Sequence, residues 1–375
     1  MKSAVVLGIM SGTSLDGVDY AVCDISRERV TLLALWTRKF PPSLERRIRT
    51  TAQGGGTGWD LAQLHHDLGR FYARGATVPR RCPAPQMAGL HGQTIFHHPD
   101  PSSPATLQIG EPTYLAAKLG APVVSNFRAA DMAAGGQGAP LATAFHVRIF
   151  GRRGQHVCVN NLGGISNVTS IDWRTGRVPG VVAFDTGPAN MLIDIAVRHF
   201  SGGRKSCDRD GLWAARGRIA EPLLRRWLRH PFFRKAPPKS TGREMFGDSF
   251  FQHALAEAQR ARLSKFDLVA TLTELTARSL VESYGIHLGS FPDVVILSGG
   301  GARNPSMVSA IQRSFVSHGA SVKLMDSAAL GWPLSGLEPA AFAWLAWLRI
   351  RGLPGNHPET TGATRPVLCG QLTAP

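Results

Sequence analysis

Short apolar runs that end in glycine recur along this chain. Residues 5–10 (VVLGIM) predict a strand, residues 11–17 a turn, and residues 18–25 a returning strand rich in β-branched and aromatic side chains. Residues 61–72 carry apolar positions at helical spacing. Residues 86–90 form a short apolar run leading into HGQTIFHH. Residues 112–119 predict a helix, residues 121–125 a buried strand, and residues 133–141 (AAGGQGAPL) a glycine-dense loop. The second half opens as the first does, with a strand at 156–162, a Gly163–Gly164 turn and a strand at 165–171. Such a repeat of pattern marks where a second α/β unit begins. A run at 181–185 leads into TGPAN and a helix whose apolar face is supplied by 191–200. Windows 250–264 and 268–284 are helical, 293–298 is a strand entering GGGARNP, and 339–350 is a strongly apolar helix. Strands alternating with helices predict an α/β protein with largely buried sheets.

Composition narrows the class. The chain has 375 residues, of which 43% are hydrophobic, enough to build two domains or one large one. No apolar stretch reaches the ~20 residues of a membrane span, and the N-terminal run is too short for a signal peptide. Five scattered cysteines without zinc-type spacing point to a reducing compartment, hence the cytoplasm. Lys and Arg total 42 against 26 Asp and Glu, a net charge of +16. The excess concentrates at 202–243, which reads as an Arg-rich solvated face or as a patch for an anionic partner. No helix-turn-helix, zinc finger or RNA-binding signature accompanies it, which argues against nucleic acid.

The chemistry lies in the turns. SGTSLDGVDY, residues 11–20, places hydroxyls, glycines and two aspartates directly after a buried strand. Backbone amides of Gly12, Thr13, Ser14, Leu15, Gly17 and Val18 can face phosphate oxygens, as they do in glycine-rich turns. Asp16 and Asp19 would repel phosphate unless Mg2+ lies between, so both are candidate metal ligands; a turn role for Asp16 stays open. No G-x-x-x-x-G-K-[ST] occurs, and a strand rather than a helix follows, so neither a Walker loop nor a Rossmann fingerprint is present. A nucleotide site built from turns remains, drawing on Gly163, Gly164, Gly187, Gly299, Gly300 and Gly301. Asp185, at a strand end before a helix, is a general base or a helix N-cap.

At this point the chain resembles the anhydro-N-acetylmuramic acid kinases, within the superfamily of sugar kinases, actin and the heat-shock ATPases. The blocks that carry the resemblance are GIMSGTSLDGVD, HGQTIFH, GEP, FRAADMAAGGQGAPL, NNLGGISNVT, FDTGPAN, PPKSTGRE, LSGGGARNP and EPAAFAWLA. Ala189 departs from the glycine usual after FDTGP, and Pro339 from the usual start of the last helix.

The resemblance implies two actin-like (ribonuclease-H-like) α/β domains closing over a cleft. The first would span 1–128 plus about 338–375, the last helix returning to it, and the second 129–337. It implies ATP and Mg2+ as cofactors and 1,6-anhydro-N-acetylmuramic acid as substrate. The anhydro bridge would open hydrolytically and O6 would be phosphorylated, within peptidoglycan recycling. It further implies a cytoplasmic homodimer and Asp185 as catalytic base. Glu338 is a second catalytic carboxylate or a helix-start acid. His91, Gln93, Arg128 and Asp131 are candidates for the sugar, Arg128 because a guanidinium forks onto a carboxylate; a satisfied loop histidine and a surface or structural ion pair stay open for His91 and Arg128, and the family pattern makes Asn161 a phosphate contact where an Asx-turn is the alternative. A kinase for another amino sugar, or a non-catalytic sugar-sensing or nucleic-acid-binding protein, are the alternatives.

Overall fold

The computed structural model describes residues 3–12, 15, 17–100 and 102–375. The chain divides into two units, Met1–Ile149 with Ser335–Pro375, and Phe150–Leu334. Twelve strands are numbered in chain order. The first unit holds β1 (Ala4–Ser11), β2 (Val18–Ile25), β3 (Val30–Arg38), β4 (Met87–His98), β5 (Ala105–Ile109) and β6 (Val123–Ser125). The second holds β7 (His156–Leu162), β8 (Ile165–Asp172), β9 (Gly180–Pro188), β10 (Val294–Ser298) and β11 (Lys323–Asp326), and β12 (Gln371–Thr373) returns to the first.

The two sheets share one plan. In the first unit the order is β12-β6-β4-β1-β2-β3, and in the second β11-β10-β7-β8-β9. In each, the first three strands form an antiparallel meander, and two later strands, β4 and β6 or β10 and β11, add in parallel beside the first; β5 and β12 then join the first sheet antiparallel to β4 and β6. This doubled topology is the actin-like arrangement, and the repeated strand–glycine turn–strand pattern of the sequence is its trace.

Sequence and structure part at several elements. β3, β11 and the helix Pro42–Ala52 lie outside the elements the sequence predicts: β3 is mostly half-buried, β11 has four residues, and the helix buries only Leu44 and Ile48. The structure also keeps residues up to 149 with the first unit, beyond the boundary expected at 128. Asp131 explains this placement. It is fully buried and accepts hydrogen bonds from Asn356 Nδ2 and Thr361 Oγ1, both at 2.7 Å, tying its helix to the C-terminal segment. The basic residues of 202–243 are exposed apart from Lys239, and some are anchored to the second unit. Arg225 and Arg278 pair with Glu221, Arg226 pairs with Glu257, and Arg216 lies over the Phe266 ring. No described helix is long and apolar enough to cross a membrane, and all five cysteines are unpaired thiols.

The helix Leu337–Ile350 shapes the first unit. Ala340, Ala341, Ala343 and Ala346 are inaccessible to solvent, and the helix backbone lies directly on the sheet. A Cβ at Gly8 on β1 would overlap the Pro339 carbonyl oxygen, and one at Gly89 on β4 would overlap that of Phe342. Pro339 is tolerated because it occupies the first turn, where an amide has no partner within the helix.

Gly8→Ala and Gly89→Ala should each cost ~3 kcal/mol or more, at the upper end of overpacking effects, because backbone rather than a side chain must yield. Gly58→Ala, in a helix with open space around it, should leave stability unchanged or raise it. Urea denaturation of the three variants checks both expectations.

Candidate functional site

The first unit gathers its candidate residues around the β1–β2 turn. Ser11, which ends β1, is 2.9 Å from the Tyr72 hydroxyl and donates to the Gly92 carbonyl at 3.1 Å. The Leu15 amide donates to the Gly12 carbonyl at 3.3 Å, with Leu15 itself in the left-handed region at φ 62°. Gly17 passes so close to the Arg38 carbonyl that a Cβ would lie 2.6 Å from its oxygen. Val18 is wholly buried, so only its backbone can serve a ligand. Thr13, Ser14 and Asp16 lie outside the described residues. Asp19 is half-buried on β2 and accepts from the Thr37 hydroxyl. No cluster of three or more metal-binding side chains occurs among the described residues.

Beside this turn, buried His91 and Asp131 and half-buried Arg128 form a connected group. The His91 ring donates from Nδ1 to the Gly92 carbonyl at 2.8 Å, and its Nε2 faces Arg128 Nη2 at 2.9 Å. A guanidinium only donates, so His91 Nε2 accepts and the ring is the neutral Nδ1–H tautomer. Burial, and then the charge of Arg128, push its pKa down to about 3. Arg128 Nη1 donates to the Gly138 carbonyl at 2.6 Å, while its Nε is shielded and unpartnered. Burial lowers its pKa to about 10, against the pull of Glu338 and Asp131, so it stays charged at neutral pH. Asp131, with two donors on Oδ1, also receives the Gly138 amide on Oδ2 at 2.8 Å. Its oxygens are thus engaged within the protein, which sets it apart from the sugar-facing role expected from sequence.

Glu338 and Gln93 complete this wall. Solvent reaches Glu338, but surrounding protein dehydrates its carboxyl; that effect first, then the charge of Asp19, hold its pKa above the ordinary value. Arg128 pulls the other way. Gln93 is buried, its Nε2 at 3.4 Å from the carbonyls of Gly12 and Thr94, and its Oε1 has no partner.

In the second unit the glycine turns converge. Asn190 Nδ2 donates to the Leu162 and Gly163 carbonyls, both at 2.9 Å, and the Ala189 amide donates to the Gly164 carbonyl at 2.9 Å. Gly299, at φ 76°, abuts Asn161 and Leu162, and Gly301 abuts Leu162, so side chains at either position would not fit. The structure therefore brings Asn161, Gly163, Gly164, Gly299, Gly300 and Gly301 together, whereas Gly187 lies on β9 against Phe233. Ala189 has φ −123°, so the methyl that replaces the usual glycine hydrogen needs no left-handed backbone.

Asp185 lies on β9, opposite Asn167 of β8. It does not cap the following helix, whose N-cap position is Ala189. Its amide donates to the Lys239 carbonyl at 3.1 Å, and its Oδ2 accepts from the Thr241 amide at 2.8 Å. Oδ1 receives no hydrogen bond from the described residues. Burial raises the pKa to about 7; Glu244 adds to the rise, while the Thr241 amide and Lys239 oppose it. Lys239, Thr241 and Asn190 were given no role by the sequence reading. PPKSTGRE was visible as a block, but Thr241 acts through its backbone, which leaves no signature in side-chain chemistry.

Two α/β units of one topology, with an acidic glycine turn in one and a dehydrated strand-end carboxylate in the other, define the class: the sugar kinase and actin-like ATPase kind. Within it, the family model described as anhydro-N-acetylmuramic acid kinase matches residues 4–375. The chain is similar to the anhydro-N-acetylmuramic acid kinase of Acaryochloris marina, at 41% identity over 98% of this chain and 99% of that protein. It is also similar to the one of Synechocystis sp., at 40% identity over 98% of this chain and 97% of that protein. The chain belongs to the anhydro-N-acetylmuramic acid kinase family.

His91 should keep its Nδ1–H tautomer and not titrate from about pH 9 down to about pH 5, well below the usual histidine range. Nitrogen-15 NMR of histidine-labelled protein, assigned with His91→Gln, checks this.

Proposed function

We propose that this protein is an ATP-dependent kinase that hydrolytically opens 1,6-anhydro-N-acetylmuramic acid and phosphorylates its 6-oxygen. Family membership over the whole chain supports the substrate and ATP as donor. The observation that carries the chemistry is Asp185: one oxygen fixed by the Thr241 amide, the other open, and a pKa of about 7. A base with that proton affinity is half ionised at neutral pH and still accepts a proton readily.

Water attacks the anomeric carbon and gives its proton to Asp185. The bond from that carbon to O6 breaks, and O6 takes the γ-phosphoryl group of ATP, leaving ADP. The product is N-acetylmuramic acid 6-phosphate. The amides of the Gly12–Val18 turn and of the Gly163, Gly164 and Gly299–Gly301 cluster would bind phosphate oxygens. Asp19 and Asp16 would hold Mg2+, which neutralises phosphate charge when bound. The field that Asp19 imposes on Glu338 is the kind of like-charge strain a cation relieves. Glu338 would hydrogen-bond the sugar or the water. Arg128 offers the substrate's carboxylate its Nε and the second proton of Nη2, oriented by His91 and the Gly138 carbonyl. Asp131 would hold the loop that carries Gly138, and Gln93 Oε1 would accept from a sugar hydroxyl. Family membership also supports a homodimer working in the cytoplasm.

Wild-type protein with ATP, Mg2+ and 1,6-anhydro-N-acetylmuramic acid should yield ADP and the sugar 6-phosphate. Asp185→Asn should lose ~10²–10⁴-fold in kcat, the usual contribution of a positioned base. Absence of product from folded, ATP-binding wild type would overturn the substrate, and an active Asp185→Asn would overturn the base.

Stability should move oppositely. The folded pKa of Asp185 lies near 7 against an ordinary 3.8, so its favourable contribution holds below 3.8 and is lost as pH rises through 7. Asp185→Asn should therefore melt a few degrees higher than wild type at about pH 8, with the gap closing toward about pH 4. Calorimetry at the two pH values checks this.

A further inference from the structure

The helix Asn190–Ser201 starts against the Gly163–Gly164 turn, and its opening amides are engaged there. Helix N-termini ordinarily leave their first amides free, and phosphates settle on them. Here the Ala189 and Met191 amides donate to the Gly164 carbonyl at 2.9 and 3.1 Å, and the Asn190 amide donates to the Gly163 carbonyl at 3.0 Å. Carbonyls of the turn thus close this helix end. A phosphate on this wall must be met by the turn itself.

The Asn190 side chain completes the closure. Its Nδ2 carries two protons and donates to the Leu162 and Gly163 carbonyls, both at 2.9 Å. Across a trans peptide the carbonyl of one residue and the amide of the next point in opposite directions. Holding the Leu162 and Gly163 carbonyls toward the helix therefore turns the Gly163 and Gly164 amides away from it. Neither amide has an acceptor among the described residues. Successive outward amides on one turn are the arrangement that receives an anion.

Asn190 also stands where the two glycine turns meet. Leu162, whose carbonyl it holds, lies 2.7 Å from where a Cβ at Gly301 would be, and its carbonyl group 2.9 Å from where one at Gly299 would be. A Cβ at Gly300 would lie 3.8 Å from Asn190 Nδ2 itself. Gly163 and Gly164 have no side chains to resist rotation of their peptides. Without the donors at 190, those peptides are free to turn over and present a carbonyl where phosphate needs an amide. A neutral amide suits the position, because a carboxylate there would repel both carbonyls and the phosphate.

We propose that Asn190 is a positioning residue for the nucleotide. Its side-chain amide pins the Leu162 and Gly163 carbonyls and so aims the Gly163 and Gly164 amides at the phosphate groups of ATP. It acts through the turn and not by touching phosphate. The inference rests on the reading that this turn takes nucleotide phosphate.

The test is calorimetric titration of full-length wild type, Asn190→Leu and Asn190→Ala with ADP and with adenosine, alongside KM for ATP and for 1,6-anhydro-N-acetylmuramic acid. Wild type should bind ADP more tightly than adenosine, which lacks the phosphates. Asn190→Leu keeps the size and removes both donors. It should bind ADP about 10- to 100-fold more weakly, the range for hydrogen bonds to a charged group, with adenosine affinity unchanged. KM for ATP should rise in step while KM for the sugar stays put. Asn190→Ala, which adds no bulk, covers an Asn190→Leu that fails to fold and should show the same selective loss. Equal losses of ADP and adenosine affinity would mean a merely structural role and overturn the inference. So would ADP affinity within about twofold of wild type in either folded variant. A wild type that binds ADP no better than adenosine would overturn the phosphate reading of the turn, and the inference with it.

Discussion

A helix backbone resting on glycine, with no side chain between, is the constraint on which the first unit is built. Ordinary helix–sheet packing interposes a layer of apolar side chains. Here Gly8 and Gly89 remove that layer beneath Pro339 and Phe342, and the alanines of the helix keep the rest of the contact shallow. The sheet strands concerned, β1 and β4, carry the Ser11–Asp19 turn and the His91–Gln93 segment at their ends. Lowering the helix onto them brings Glu338 into the field of Asp19 and Arg128. A larger residue at either glycine would lift the helix and separate charges that depend on one another. Phe342 shows the coupling directly, because its ring lies 4.6 Å from that of His91, the residue that orients Arg128.

The two units handle buried charge in opposite ways. Asp131 is satisfied from all sides by Asn356, Thr361 and Gly138, and it serves as a rigid post. Asp185 is deliberately under-satisfied: one amide holds it, and its pKa climbs to about 7. Both are acidic residues placed near glycine-rich loops, and the sequence does not separate them. What separates them is the number of donors that tertiary structure supplies, including residues more than two hundred positions away in the case of Asp131.

This is why the fold was more legible than the site. Strands β1, β2, β7 and β8 are apolar runs closed by glycine, and pattern alone bounds them within a residue or so. β3 reads VTLLALWTR, with half its positions only partly buried, and the helix Pro42–Ala52 rests on just Leu44 and Ile48, one turn apart among four charged residues, so each apolar signal is faint. Among site residues, glycines at Gly299 and Gly301 announce close approach, and the structure supplies the neighbours that demand it. Lys239 could not be read in this way. It stands in the most basic stretch of the chain, where lysine ordinarily means a solvated face, and only the Phe184 and Phe232 rings around its ammonium identify it as interior.

The duplicated topology makes the difference between the units chemically informative. Both place a glycine turn between their first two strands, at equivalent points of equivalent sheets. In the first unit that turn carries Asp16 and Asp19; in the second the corresponding NNLGGISN carries only asparagines and a serine around its glycines. An acidic turn repels phosphate and attracts a divalent cation, while a neutral turn exposes amide dipoles that attract phosphate directly. Two copies of one hairpin thus acquire complementary affinities through two carboxylates. Asp185 stands on the neutral side, on β9. There burial dominates its ionisation, with the Thr241 amide and then Lys239 opposing the rise and Glu244 adding to it. Placed beside the acidic turn, the same carboxylate would face like charge as well as burial and would hold its proton too firmly to serve as a base at neutral pH.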